Sequence, residues 1–224
     1  MSPVTAIIPA RNEAATVGGV VRAVRVADLA ERIIVVSDGS TDETVSEARL
    51  AGADLVVALP EGVGKGGAMR TGARLAATPV LLFLDADLKT LSSGHQRALL
   101  EPILADEADM VVGVIRRGAV YTWLSRFTPK ISGQRAVRRD LVLAVPENVM
   151  RGYAAEIALN RACRRAACRS RFVFLDGLDF RRKYEKLPWW RAWPHYLSLA
   201  SQIGWAGVRP WAAVKVTPKS LFRI

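Results

Sequence analysis

Five short runs rich in Val, Ile and Leu recur through the first 113 residues, at 4–9, 32–37, 54–59, 80–84 and 109–114. Between them, 13–26, 42–51, 66–76 and 95–104 carry Ala, Val and Leu at helical spacing. This rhythm restricts the chain more than any other feature, because strand–helix–strand alternation leads to a parallel sheet with helices on both faces. The runs are almost wholly apolar, as strands covered on both sides must be. Sites in such sheets lie outside the carboxyl ends of the strands. The residues just after the runs are therefore the candidates for function: Arg11-Asn12-Glu13, Asp38-Gly39-Ser40, Gly62 to Gly67, and Asp85-Ala86-Asp87.

A chain of 224 residues, half of them hydrophobic and 24% charged, has enough apolar material for a sizeable core, which excludes a disordered or fibrous protein. The net charge of +11 conceals a division. Residues 1–112 hold 10 basic and 15 acidic side chains, and residues 113–224 hold 22 and 6. A front of −5 and a back of +16 suggest two surfaces with two tasks, a cation on one and an anion on the other. Cys163 and Cys168 are too few for a disulfide framework and read as reduced thiols on different parts of a helix surface. Met1-Ser2-Pro3 runs into the first apolar stretch with no basic leader, so a cytoplasmic location is expected. Residues 192–208 are too short and polar for a spanning helix.

Asp85-Ala86-Asp87 ends the fourth run. Two carboxylates at the tip of a buried strand are costly unless a cation neutralises them, and residues i and i+2 share a side of an extended chain. Oxygen-only ligands suit Mg²⁺ or Mn²⁺, which keep waters and substrate phosphates in their shell. Ser40 or Thr41 can cap the helix expected to begin near Asp42, which leaves Asp38 at its strand tip to accept hydrogen bonds from a base or ribose. Gly62-Val63-Gly64-Lys65-Gly66-Gly67 contains the dinucleotide-binding glycine spacing, but it comes after the third strand, and Pro60-Glu61 intervene. It reads instead as a loop whose backbone closes on a nucleotide, with Lys65 near phosphate.

Pro9-Ala10-Arg11-Asn12-Glu13, Ser37-Asp38-Gly39-Ser40-Thr41-Asp42, Gly64-Lys65-Gly66-Gly67-Ala68 and Asp85-Ala86-Asp87-Leu88 occur in this order and at these spacings. Over residues 4–160 the set resembles family 2 glycosyltransferases of the GT-A fold, and within them the polyprenyl-phosphate sugar synthases and glucosyl-3-phosphoglycerate synthases. The resemblance implies a Rossmann-like, mostly parallel α/β sheet flanked by helices. It also implies a nucleoside-diphosphate sugar donor. Pro9, Arg11 and Glu13 would hold base and ribose, Asp38 the base, Gly64 and Lys65 the nucleotide, Asp85 the sugar or ribose, and Asp87 the metal, with Asp85 as a second ligand. Ser37 stands where relatives often have an acid, and Lys89 where some have Gln or Ser.

Beyond residue 114 the rhythm changes. Residues 116–130 are basic with aromatics, 131–140 read as an Arg-rich strand or turn, 153–167 as a helix and 172–175 as a strand. Ser132-Gly133-Gln134-Arg135 with Arg138 and Arg139 matches the family's acceptor side. Gly133 allows close backbone approach, and the Arg forks suit phosphate. Gly152-Tyr153-Ala154-Ala155-Glu156 resembles the family's G-Y-x-x-E, which makes Glu156 a candidate for positioning sugar or acceptor. The basic run at 180–186, with Arg182, matches a loop that closes on phosphate in relatives. His95 reads as a first-turn helix residue, and His195 matches poorly the histidine that completes the metal shell in some relatives. Five of six tryptophans come after residue 188. They read either as an interfacial segment or as a helix packed on the domain or on a second subunit.

Residues 1–187 are thus expected to form one GT-A domain, with a nucleotide-sugar half at 1–113 and an acceptor half at 114–187, and 188–224 to be a basic, Trp-rich appendage. The expected reaction passes sugar to an anionic acceptor, a lipid phosphate or a soluble one. A metal on Asp87 with Lys65 and Arg135 would stabilise the leaving diphosphate, and Asp87, Glu156 or substrate phosphate would serve as base. Expected partners are the donor, the acceptor and, through the appendage, the inner membrane face or a second copy. A nucleotidylyltransferase would need a Gly-rich signature after the first run, where Ala10-Arg11-Asn12 stand. A nucleic-acid-binding module would not need Asp85-Ala86-Asp87, so no nucleic acid is expected.

Overall fold

The computed structural model describes residues 3–115, 132–150 and 154–180. The expectations for 116–130, for Gly152-Tyr153, for Arg182 and its run, and for the 188–224 appendage with His195 lie outside them.

The strands are β1 (Val4–Ala10), β2 (Arg32–Asp38), β3 (Leu55–Leu59), β4 (Val80–Phe83), β5 (Met110–Val114), β6 (Arg135–Arg138) and β7 (Ser170–Phe174). The helices are α1 (Val17–Ala27), α2 (Thr44–Leu50), α3 (Lys65–Leu75), α4 (Ser93–Leu104), α5 (Arg139–Ala144) and α6 (Ala154–Arg165), with a 3₁₀ turn at Glu147–Val149. The strands make one sheet in the order β3-β2-β1-β4-β6-β5-β7. Every neighbouring pair is parallel except those of β6, which runs antiparallel between β4 and β5.

The period-2 alternation of the strands sorts the core into two layers. Ala6, Ile8, Val35, Leu82 and Val111 pack with Val20, Val24, Leu99 and Leu100 of α1 and α4 on one face. Ile7, Ile34, Val36, Leu81, Phe83 and Val112 pack with Met69, Ala73, Leu141 and Leu159 of α3, α5 and α6 on the other. All these side chains are buried, so the expected three-layer α/β architecture is present. Among the described residues no helix is long and apolar enough to cross a membrane.

The antiparallel insertion of β6 decides which of its residues can reach the site. Arg135 pairs with Phe83 at the carboxyl end of β4, and Arg138 pairs with Val80 at its amino end. Arg138 therefore lies at the far edge of the sheet, where it meets Asp106 at 2.6 Å and Asp109 at 3.4 Å. Arg169 joins them at 2.9 Å and 3.1 Å from the same two carboxylates. Burial alone would raise the Asp109 carboxyl, but hydrogen bonds from the Arg169 side chain and backbone, with the charges of Arg169 and Arg138, hold it below the usual carboxylate range. A depressed native value stabilises the fold above the unfolded value and stops doing so as pH falls through the native one. Asp109→Asn is accordingly expected to cost about 1–2 kcal/mol at neutral pH, with the gap to the parent closing below about pH 4 in urea unfolding curves. A gap independent of pH would assign the loss to packing instead.

Candidate active site

The carboxyl ends of β1, β2, β3 and β4 and the amino end of β6 converge on one edge of the sheet. The loops after β1 and β2 are joined there by side-chain to backbone hydrogen bonds. The Asn12 amide donates to Ser40 Oγ at 3.1 Å, and Thr41 N–H donates to Asn12 Oδ1 at 2.9 Å. The amides of Glu13 and Ala14 donate to Thr44 Oγ1 and Asp42 Oδ2. Ser40 and Asp42 thus hold the neighbouring loop, and α2 begins at Thr44 without the side-chain cap expected from Ser40 or Thr41. The first helix likewise starts later than its periodicity suggests, at Val17, because Glu13 and Ala14 are drawn into this lattice. Glu13 is buried and its carboxylate accepts from Thr16 Oγ1, Pro9 is half-buried at the end of β1, and Arg11 is exposed.

Asp38 is buried at the tip of β2, and its two oxygens accept from the backbone amides of Val63 at 2.6 Å and Gly64 at 3.0 Å. It thereby holds the glycine loop across the edge of the sheet. Arg11 lies against the same loop, with its guanidinium where a Cβ on Gly62 would be. Gly64, at φ 82°, turns the chain into α3 and delivers Lys65 as its first residue.

Lys65 Nζ lies 2.7 Å from Asp85 Oδ1 and 2.7 Å from Glu156 Oε1. These three residues come from α3, the turn after β4, and the first turn of α6. Burial would lower the lysine, but the two carboxylates outweigh it and raise it, so the ammonium persists through the neutral range. Gln134 Nε2 donates to Asp85 Oδ2 at 2.8 Å, and Ser132 Oγ donates to Gln134 Oε1 at 2.8 Å. Gly133 is the position where close approach matters: a Cβ there would overlap both oxygens of Asp85. Glu156 is 2% exposed, and its Oε2 has no hydrogen-bond partner among the described residues. A buried carboxylate oxygen left this way is an acceptor awaiting a donor.

Arg135 is fully buried. Its Nε and Nη2 donate to the Ser132 carbonyl at 3.2 and 2.6 Å, and Nη1 reaches Asn160 Oδ1 at 3.5 Å. It shapes the turn that presses Gly133 and Gln134 onto Asp85 and does not itself offer a fork to a ligand. Arg138 and Arg139, expected on the acceptor side, are not there. Arg138 is in the far-edge ion cluster, and Arg139 Nε donates to the Ala73 carbonyl at 2.9 Å. A basic strand four residues long spans roughly 10 Å, so its two ends serve different edges of the sheet.

Asp87 is half-buried two residues beyond Asp85. The turn carrying it is fastened from below. Lys89 N–H donates to the Asp179 carbonyl at 2.8 Å, and Thr90 Oγ1 donates to the Gly177 carbonyl at 2.7 Å while accepting from Asp179 N–H. His95 is the expected first-turn residue of α4, in a capping box with Ser92, and its Nε2 meets the Asp176 carbonyl at 2.8 Å. Thr90 and Asn160 are supporting residues that the sequence did not single out. Of the two, Asn160 carried a signal, since it lies four residues beyond Glu156 on one helix face.

Among the described residues no group of three or more His, Cys, Asp or Glu is placed to hold a metal. Asp85 and Asp87 nonetheless fit a hard cation such as Mg²⁺ or Mn²⁺, which takes one or two carboxylates and fills its shell with water and phosphate oxygens. Asp85 has both oxygens engaged by Lys65 and Gln134.

The family model described as "Glycosyl transferase family 2" matches residues 5–172. A glucosyl-3-phosphoglycerate synthase of Mycolicibacterium smegmatis is 31% identical over 190 residues, covering 70% of this chain and 62% of that protein. A 4,4'-diaponeurosporenoate glycosyltransferase of Staphylococcus aureus is 36% identical over 100 residues, 43% of this chain and 27% of that one. The chain thus spans less than two thirds of either relative. A crystal structure of glucosyl-3-phosphoglycerate synthase from Mycobacterium tuberculosis, in complex with Mn²⁺, UDP-glucose and phosphoglyceric acid, superposes with a TM-score of 0.72 at 25% identity, covering 93% of this chain and 81% of that one. The same synthase with Mn²⁺, UDP and phosphoglyceric acid gives 0.75 at 23% identity over 93% and 80%, which supports the GT-A-like fold.

Proposed function

The chain belongs to glycosyl transferase family 2, and from that premise we propose that it transfers a sugar from a nucleoside-diphosphate donor to an acceptor bearing a phosphate, with Mg²⁺ or Mn²⁺ bound. The observation that carries this reading is the convergence of Lys65, Asp85 and Glu156 at the tip of β4, beside Asp87 and the glycine loop. The relatives support it: the smegmatis protein is named for glucosyl-3-phosphoglycerate, and the tuberculosis complex holds UDP-glucose with phosphoglyceric acid.

Each residue's role rests on its placement. Arg11, Pro9 and Glu13 border the donor's nucleotide. Asp38 acts on it indirectly, by fixing the amides of Val63 and Gly64. Asp87, helped by Asp85, holds the cation, whose chemistry when bound is to neutralise charge on the leaving diphosphate. Lys65 keeps an ammonium beside that charge and costs no reorganisation at the moment of transfer, because two carboxylates already hold it in place. Glu156 Oε2 accepts a hydrogen bond from a hydroxyl of the donor sugar or acceptor, which relieves its orphaned state. Gln134 orients Asp85, and Arg135 holds the turn beneath.

If the acceptor's phosphate is recognised, release of nucleoside diphosphate from the donor will respond to that phosphate. With Mn²⁺ and UDP- or GDP-glucose, phosphoglyceric acid or a polyprenyl phosphate is expected to support turnover at least about 100-fold faster than glycerate, which lacks the phosphate. Which of the two phosphorylated acceptors works distinguishes a soluble substrate from a lipid one. Equal turnover with glycerate would remove the phosphate from the proposal.

A further inference from the structure

The chain contains two cysteines, five residues apart, and helical spacing would put them on different parts of one helix surface. The fold cancels that separation. Helix α6 ends at Arg165, and Ala167 takes a left-handed conformation with φ 50°. Cys168 N–H then donates to the Cys163 carbonyl at 2.9 Å, and Ala167 N–H to the Arg164 carbonyl at 3.2 Å. These are the 6→1 and 5→2 bonds of a Schellman cap, which folds the residue after the left-handed position back onto the last helical turn. In most such caps two apolar side chains meet there. Here two cysteines occupy those positions, and Cys163 Sγ lies 3.7 Å from the Cys168 carbonyl. Both thiols are free.

We propose that Cys163 and Cys168 are a redox-active dithiol, oxidised by hydroperoxides to an intramolecular disulfide that staples the carboxyl-terminal cap of α6. The site is independent of the transferase reading. The two thiols have unequal roles. Cys163 is 1% exposed, whereas Cys168 is only half-buried. Interaction with Cys163 and the Arg169 charge outweigh burial and lower the Cys168 thiol, while interaction with Cys168 and burial raise Cys163. Cys168 is therefore the attacking thiolate and Cys163 the resolving thiol.

In the first step Cys168 sulfur attacks a peroxide oxygen. The O–O bond breaks, and water or an alcohol departs with the proton, leaving a sulfenic acid. In the second, Cys163 sulfur attacks Cys168 sulfur, the S–O bond breaks, and the hydroxyl leaves as water with the Cys163 proton. The dithiol gives up two electrons and two protons, and the peroxide takes them. An added dithiol reverses the change by exchange.

Because the chain has no other cysteine, thiol counting on the intact protein reads the outcome directly. Folded protein is treated with hydrogen peroxide, denatured, alkylated and weighed. The expected product has no alkylatable thiol, is lighter by two hydrogens, remains a monomer on a non-reducing gel, and regains both thiols with dithiothreitol. Cys163→Ser should stop at a product one oxygen heavier that a sulfenic-acid trap captures. Cys168→Ser should slow loss of the remaining thiol by about tenfold or more. Two thiols still countable after treatment, a disulfide-linked dimer, or over-oxidation without the lighter species would each overturn the proposal, and none of these readings depends on the variants folding.

Discussion

Lys65→Met is expected to lower stability by about 3 kcal/mol and to abolish sugar transfer. The ammonium bridges Asp85 and Glu156 at 2.7 Å each, and the Glu156 side chain is 3% exposed. Methionine preserves the bulk and the helical propensity of the position, so the loss falls on charge. Without the lysine, two carboxylates face each other in a partly dry site, and removing one partner from a buried ion cluster costs about 3–5 kcal/mol. The lower end applies because Lys65 retains 22% exposure. The defect should shrink toward low pH, as that of Asp109→Asn does, but from a different cause. In the variant, desolvation and mutual repulsion raise a carboxyl above its unfolded value. Such a group destabilises the fold most at high pH, and the deficit shrinks as pH falls and the carboxyl takes up a proton. Urea unfolding near pH 8 and near pH 5 checks this. A deficit below about 1 kcal/mol at both would mean that the bridge contributes little.

Asp87→Ala should act on function and leave the fold nearly intact. The residue occupies a half-buried turn outside both core layers, where substitutions cost about 1 kcal/mol or less. Its proposed task is to hold the cation that offsets charge on the leaving diphosphate. Loss of one such preorganised electrostatic element costs about 10²–10³ in rate, and loss of the ion itself costs more. Turnover is thus expected to fall by about 10³-fold or more at saturating donor, while the thermal midpoint moves by only a few degrees. A tenfold fall with unchanged metal dependence would transfer the ligand role to another residue.

Much of the sheet and its functional edge could be read from the chain because the signals are local. Apolar runs covered on both faces specify buried strands, and the residues after them occupy one edge, which is where Arg11, Asp38, Lys65 and Asp85 lie. The details that escaped depend on contacts distant in sequence. Lys65 and Glu156 are 91 residues apart, and only the packing of α3 on α6 joins them. The buried state of Asp38 depends on amides 25 and 26 residues away. The arginines of β6 and the start of α5 illustrate the limit most clearly. Arg135, Arg138 and Arg139 look alike in the sequence, but the antiparallel direction of the strand sends the first beneath the site and the other two away from it. No local pattern encodes that direction. Asp87, by contrast, stands out from its neighbours alone, because an acid two residues from another at a strand tip has few inexpensive explanations.

The central claim, that this edge binds a nucleoside diphosphate through a cation on Asp87, is open to one calorimetric titration. UDP and GDP are added to the protein with Mn²⁺, with excess chelator in place of Mn²⁺, and to Asp87→Ala with Mn²⁺. Saturable binding of at least one nucleotide with Mn²⁺, weakened by about 100-fold or more by either the chelator or the substitution, is the predicted result. Binding of equal strength in all three conditions, or no binding of either nucleotide in any, would contradict it.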